Sequence, residues 1–171
     1  MAYSTISKPS LHFNTKLYTG NGSTQSITGV GFQPDFTWLK RRDASAGNKL
    51  TNSVRGTGKH LVSNNSNAEY NENNILTAFG TDGFSVGNSS DVNNNGNSYV
   101  SWSWKGGGSS STNSDGDITS TVSANTVAGF SIVTWTSNGS TNDGVGHGLG
   151  AEPKIIFYKR YDGTNDWYVV Y

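Results

Sequence analysis

Tyr99-Val100-Ser101-Trp102-Ser103-Trp104 alternates without a break. Successive side chains of an extended chain point to opposite faces, so Val100, Trp102 and Trp104 share one face and Tyr99, Ser101 and Ser103 the other. The bulk of the first set predicts that it points into a core. The same period of two recurs outward from this stretch. Phe36, Trp38 and Lys40 oppose Thr37, Leu39 and Arg41, and Ile118, Ser120 and Val122 alternate likewise. Phe130, Ile132 and Thr134 oppose Ser131, Val133 and Trp135, a strand apolar on both faces near its middle. Ile155-Ile156-Phe157-Tyr158 is a continuous apolar run, which predicts a strand covered on both sides. No window places apolar residues at i, i+3, i+4 and i+7, so helical periodicity is absent.

Turn residues punctuate these runs. Thr81-Asp82-Gly83 lies between Leu76-Thr77-Ala78-Phe79 and Phe84-Ser85-Val86 and predicts a hairpin. Gly20-Asn21-Gly22 and Asn138-Gly139 can supply positive φ for tight hairpins, and Asn93-Asn94-Asn95-Gly96-Asn97 is a further turn. Asp162-Gly163 precedes a terminal strand at residues 166–171. Many short strands at this spacing predict an all-β fold, an antiparallel β-sandwich or jelly roll.

Part of the chain is written twice. Phe13, Tyr18, Thr19, Asn21, Gly22, Ser23 and Thr24 return as Phe130, Trp135, Thr136, Asn138, Gly139, Ser140 and Thr141. After a two-residue insertion, Gly29-Val30-Gly31 returns as Gly148-Leu149-Gly150 and Gln33-Pro34 as Glu152-Pro153. Lys40-Arg41 with Asp43 returns as Lys159-Arg160 with Asp162. The expected organisation is an N-terminal arm at 1–11, a first sandwich module at 12–105, a Gly/Ser-rich linker at 106–117, and an incomplete second copy at 118–171. Pro9 is expected to keep the arm extended.

Of the 171 residues, 32% are apolar and 14% charged, and the remainder is dominated by Gly, Ser, Thr and Asn. A chain that is polar without being charged lacks the repulsion typical of disorder. Its 12% of aromatics supplies large buried areas from few residues. Twelve basic and twelve acidic residues cancel, which argues against nucleic acid as a partner. The cationic run Lys40-Arg41-Arg42 suits a solvated strand end. The absence of cysteine excludes disulfides and thiolate chemistry. Residues 1–6 have neither a basic region nor an apolar one, so no signal peptide is expected there, and no membrane insertion is expected anywhere.

No motif carries catalysis. His12, His60 and His147 lie far apart in sequence, and His147 in Gly146-His147-Gly148 reads as a turn residue. Arg55-Gly56-Thr57-Gly58-Lys59-His60 imitates a phosphate loop. It fails because Ser53 stands at the first Gly and His60 at the magnesium-binding Ser or Thr. Asp91-Val92-Asn93-Asn94-Asn95-Gly96 matches the opening of a calcium loop, but Trp102 occupies the place of its bidentate Glu. A structural turn is the preferred reading there, with calcium left open as the alternative. Glu69 and Glu72 fall in an Asn-rich stretch that reads as an exposed loop, and no acid pair can be assembled from sequence. Trp38 and Trp135 align with Phe157 and Tyr18 in the repeat, as core positions would. Trp167 is the aromatic best placed for exposure, though core or interface is the better reading. No cofactor and no enzymatic activity is expected.

Tyr18-Thr19-Gly20-Asn21-Gly22-Ser23-Thr24, Gly29-Val30-Gly31-Phe32-Gln33-Pro34-Asp35 and Trp38-Leu39-Lys40-Arg41-Arg42 carry a resemblance. So do Ser53-Val54-Arg55-Gly56, Asp82-Gly83-Phe84-Ser85-Val86-Gly87 and Tyr99-Val100-Ser101-Trp102-Ser103-Trp104-Lys105. Over nearly its whole length the chain resembles an uncharacterised repeat domain of virion structural, tail-fibre-like proteins of marine tailed bacteriophages. The resemblance implies a concanavalin-like sandwich and a virion location after synthesis in the bacterial cytoplasm. It implies no catalytic residues.

The expectation is a structural virion protein, a homo-oligomer contacting other virion subunits. The alternatives are a lectin-like module for host surface glycans and a capsid decoration or head fibre. Candidate partner-binding residues are Tyr3, Ile6, Pro9 and Leu11 of the arm, with Ile155 and Phe157 of the apolar run. An arm of this type orders against a partner. The apolar run is expected to be covered by the first module, a neighbouring subunit or a continuation of the chain.

Overall fold

The structure, a computed structural model, describes residues 6–171. Its regular secondary structure is nearly all strand. In chain order these are β1 (Phe13–Thr19), β2 (Gln25–Thr28), β3 (Phe36–Arg41), β4 (Lys49–Asn52), β5 (Lys59–Val62), β6 (Tyr70–Asn71) and β7 (Leu76–Gly80). There follow β8 (Gly83–Val86), β9 (Ser98–Trp104), β10 (Ser111–Asn113), β11 (Ser120–Asn125), β12 (Phe130–Trp135), β13 (Ile156–Tyr158) and β14 (Tyr168–Val170). A short α-helix of one turn, α1, covers Ser90–Asn93. No helix among the described residues is long and apolar enough to cross a membrane.

The strands form antiparallel sheets. The largest has the order β1-β9-β3-β4-β5-β6, and a second has the order β2-β8-β7. Leu39 of the first sheet packs with Ile27, Leu76, Phe84 and Val86 of the second in one buried cluster, joined by Val30, Phe32, Ile75 and Val92. Tyr18 closes it. Its ring stacks on Tyr99 at 5.2 Å and meets Phe84 edge-on. Its hydroxyl donates to the Val92 carbonyl at 2.7 Å. Burial there pushes the Tyr18 phenol well above its ordinary range.

The face of β9 that meets this core is the reverse of the one expected from side-chain size. Tyr99, Ser101 and Ser103 are 0% exposed, whereas Trp102 and Trp104 are only half-buried. Small side chains at Ser101, Ser103 and Thr37 line the inner side of the sheet. The bulky row lies on the outer side, where Trp104 meets Phe13, Phe36 and Phe130, and Trp102 meets Trp38 edge-on. Alternation identified the strand, but the larger side chains mark a second packing surface rather than the main core.

The Thr81-Asp82 turn makes the predicted β7–β8 hairpin. Gly20-Asn21-Gly22 does not make one. β1 pairs with β9 and β2 with β8, so this turn carries the chain from one sheet to the other. Gly22 supplies the positive φ (73°), and Asn21 Oδ1 accepts from Ser23 N at 2.8 Å. Asn93, fully buried on α1, ties the crossing down. Its Oδ1 accepts from Asn21 N at 2.9 Å, and its amide donates to the Gly87 carbonyl at 2.8 Å.

The stretch read as a linker is fastened at its start and contains β10. The buried Asp35 carboxylate accepts from Gly106 N at 2.8 Å, Gly108 N at 3.3 Å and Ser53 Oγ at 2.9 Å. Ser123 Oγ accepts from Gly107 N at 2.9 Å. A Cβ on Gly107 would lie 2.4 Å from the Ala124 carbonyl oxygen. Glycine here serves close backbone approach, not flexibility. β10 then pairs with β11, and β11 with β12.

β13 and β14 form a separate two-stranded sheet. Its register reproduces that of β3–β4. Thr37, Trp38 and Leu39 face Thr51, Leu50 and Lys49, while Ile156, Phe157 and Tyr158 face Val170, Val169 and Tyr168. Each member of the second set lies 119 residues after its partner in the first (Thr37 to Ile156, Thr51 to Val170).

Candidate interaction surface

Of the arm residues, Tyr3 lies outside the described residues. Ile6 is half-buried. Pro9 and Leu11, expected in an extended arm, instead form a 3-10 turn, Pro9–Leu11. Proline suits the first position of such a turn because its fixed φ is already helical and no donor is lost. Leu11 is 51% exposed. The turn is anchored behind, where the His12 carbonyl accepts from Lys105 N at 2.8 Å and the His12 ring lies 3.3 Å from the Asn125 amide.

Ile155 and Phe157 are 54% and 61% exposed, with Ile156 and Tyr158 beside them. The run predicted to be covered on both sides is therefore open, and the first module does not cover it. Among the described residues its strand has one partner, β14, and its three side chains are exposed. Sequence reading missed Tyr168, Val169 and Val170, which enlarge the same surface. The signal was present, since these residues align with Lys49, Leu50 and Thr51 at the same displacement as the rest of the repeat. Tyr158 and Tyr168 stack at 5.0 Å with their planes 12° apart.

The hairpin is held by its connecting loop, not by its apolar side chains. The Tyr161 carbonyl accepts from Glu69 N at 2.7 Å, Asn165 N donates to the Ser66 carbonyl at 2.9 Å, and Trp167 Nε1 donates to the Val62 carbonyl at 3.1 Å. Trp167 is thus a half-buried interface residue. Arg160 Nε bonds Asp162 Oδ1 at 2.6 Å, which holds the Asp162 carboxyl below its ordinary range. Lys159 donates to the Arg160 and Gly163 carbonyls, and partial burial lowers its pKa.

The side chains considered for chemistry serve the fold. Asp91 pairs with Lys49 at 2.7 Å, and Asn93 is consumed in the sheet crossing, so the calcium-like stretch spends these groups internally. Glu69 is not on an exposed loop but forms a nearly buried ion pair with Arg55. His60 is fully buried, stacked on Tyr70 at 5.1 Å, and neither ring nitrogen has a partner. Burial, with Lys49 nearby, lowers its pKa to about 4. His147 Nδ1 accepts from Leu149 N at 3.2 Å, as a turn residue does. Among the described residues no cluster of three or more His, Cys, Asp or Glu could hold a metal.

The family is defined across almost all of this structure. The chain belongs to the family described as a domain of unknown function, DUF7483, matched over residues 8–171. Nothing among curated proteins or solved structures matches it. The matched range takes in the six-stranded sheet, the glycine stretch and the terminal hairpin alike. The exposed hairpin is therefore part of the family domain.

Proposed function

We propose that this chain is a non-enzymatic structural component of a bacteriophage virion, of tail-fibre type. It attaches through its N-terminal arm to other virion subunits and assembles as a homo-oligomer. On this reading residues 12–105 are a jelly-roll sandwich of the concanavalin kind, and residues 118–171 begin a second copy. The observation that carries the reading is the apolar surface of β13–β14, left open in a chain that is otherwise polar. An exposed patch of this kind marks a protein that works by contact. The sequence resemblance to virion proteins points the same way, and the common register of the two hairpins supports a repeated module.

The test is location. Purified particles are analysed by mass spectrometry and by gold-labelled antibody against the chain. Label on a tail or fibre supports the assignment, and label on the head moves it to capsid decoration. Absence from particles, or retention of the isolated chain on host polysaccharide, would replace it with glycan recognition. A chain lacking residues 2–11 should fold, yet be missing from particles.

A further inference from the structure

In the large sheet, β9 lies between β1 and β3 and pairs with both. β12 begins at Phe130, the repeat partner of Phe13 on β1, and β13 stands to β3 as β14 stands to β4. Yet among the described residues β12 is bonded only to β11, and β13 only to β14. The place that β9 fills in the first half is empty in the second.

Two local features match this gap, and a third marks the missing counterpart of the β7–β8 turn. Ser98, the first residue of β9, faces Thr19, and its carbonyl accepts from Arg42 N at 2.8 Å. The corresponding residues, Thr136 and Tyr161, instead line an open cleft of about 300 Å³ with Trp135 and Thr134. Asp43 accepts from Arg41 through Oδ1 and from Ser98 N, at 2.8 Å, through Oδ2. Asp162 repeats the arginine bond and has no equivalent of the Ser98 bond among the described residues. Gly29 and Gly31, both at positive φ, donate to the Asp82 carboxylate at 2.9 and 2.7 Å. Gly148 and Gly150, with the same positive φ, line a second open cleft, and among the described residues no carboxylate accepts from their amides.

We propose that the space between β12 and β13 is the seat of an added antiparallel strand of β9 chemistry, Tyr-Val-x-Trp-x-Trp. It arrives from the C-terminal side of β14, as β9 arrives from the C-terminal side of β4. A second copy of this chain cannot supply the strand without unfolding, because its own β9 is paired on both edges. Open strand edges are templates for such pairing. The inference concerns the fold alone and stands whether or not the chain is a particle component.

Tyr171 occupies the place of Asn52, so a chimera of residues 1–171 followed directly by residues 53–105 continues the repeat in frame. In hydrogen exchange, amides of β12 and β13 should slow by about tenfold or more relative to the parent chain. Binding of a hydrophobic dye should fall, and the chimera should be monomeric by ultracentrifugation. A second chimera, with proline in place of the appended copies of Val100 and Trp102, should lose that protection while keeping the rest. An appended segment that stays protease-labile, with β12 and β13 unchanged, overturns the proposal. So does a parent chain that is already dimeric with both strands protected, since the occupant is then a second copy.

Discussion

In β3–β4, Leu39 stands opposite Lys49 and is 1% exposed; in β13–β14, Tyr158 stands opposite Tyr168 and is 38% exposed. Local details also agree between the two hairpins. Lys40 and Lys159 each donate to the next residue's carbonyl at 2.6 Å, and Arg41 and Arg160 each hold the aspartate two residues on. Register and turn chemistry are therefore properties of short sequence. Burial is not. It comes from β9 and from the β2-β8-β7 sheet, whose strands lie elsewhere in the chain.

The comparison is broken most directly by truncating equivalent residues. Leu39→Ala should cost about 2–5 kcal/mol, the range for a large side chain lost from a packed core. Tyr158→Ala, at the equivalent place, should change stability by no more than about 0.5 kcal/mol, as exposed positions do. Urea denaturation of both variants measures this. Equal losses would mean that the second hairpin is covered in solution.

Asp35 offers the next contrast, because its repeat partner is the exposed Lys154. Asp35→Ala leaves the amides of Gly106 and Gly108 without their carboxylate, at a cost on the order of 3 kcal/mol. It should also loosen β10–β12 by freeing the glycine stretch that docks them. Lys154→Ala should be silent. Limited proteolysis near residue 108 and denaturation together check both.

Much of this architecture was legible beforehand. Alternation at Phe36–Arg41, Phe130–Trp135 and the Tyr99–Trp104 run located strands, and Asp82-Gly83 located a hairpin. Which face of β9 meets the core was not legible, because both faces pack: the serines are buried on the inner side, while Trp104 meets Phe130 and Trp102 meets Trp38 on the outer side. The Gly106–Gly108 stretch has linker composition, and only a buried carboxylate 71 residues earlier shows why it is glycine. For the candidate surface, the apolar run named Ile155 and Phe157, but exposure depends on which strands are present, which no local pattern states.

β5, the strand beyond β4, has no equivalent beside β14, and it carries His60. Burial lowers the His60 pKa to about 4, below the ordinary value of 6.5. The unfolded chain therefore takes up the proton first. The stability tied to neutral His60 is fully present above about pH 6.5 and is lost progressively as pH falls towards 4. His60→Phe keeps the stack on Tyr70 and removes two unpartnered nitrogens. It should flatten the stability profile between pH 6.5 and 4 and leave neutral-pH stability equal or slightly higher. A profile unchanged by the substitution would show that His60 is not the titrating group.

The smallest effect separates the two aspartates. Asp43 holds the start of β9 through Ser98 N, whereas Asp162 holds only Arg160. Both carboxyls lie below the ordinary range, each chiefly through its arginine bond, with the Ser98 amide adding to the effect at Asp43. A depressed folded pKa means that the contribution is complete above the unfolded value of about 3.8 and fades only as pH drops below it. Neither residue should therefore affect stability between pH 5 and 8 through titration. Their difference should appear in substitution: Asp43→Ala should speed exchange of the Ser98 amide and fray the first residues of β9. Asp162→Ala should alter no amide outside its own loop, since an exposed ion pair contributes little. In the chimera that restores the strand, Asp162→Ala should acquire the Asp43→Ala behaviour at the appended copy of Ser98. If it stays silent there, the added strand does not start where β9 starts.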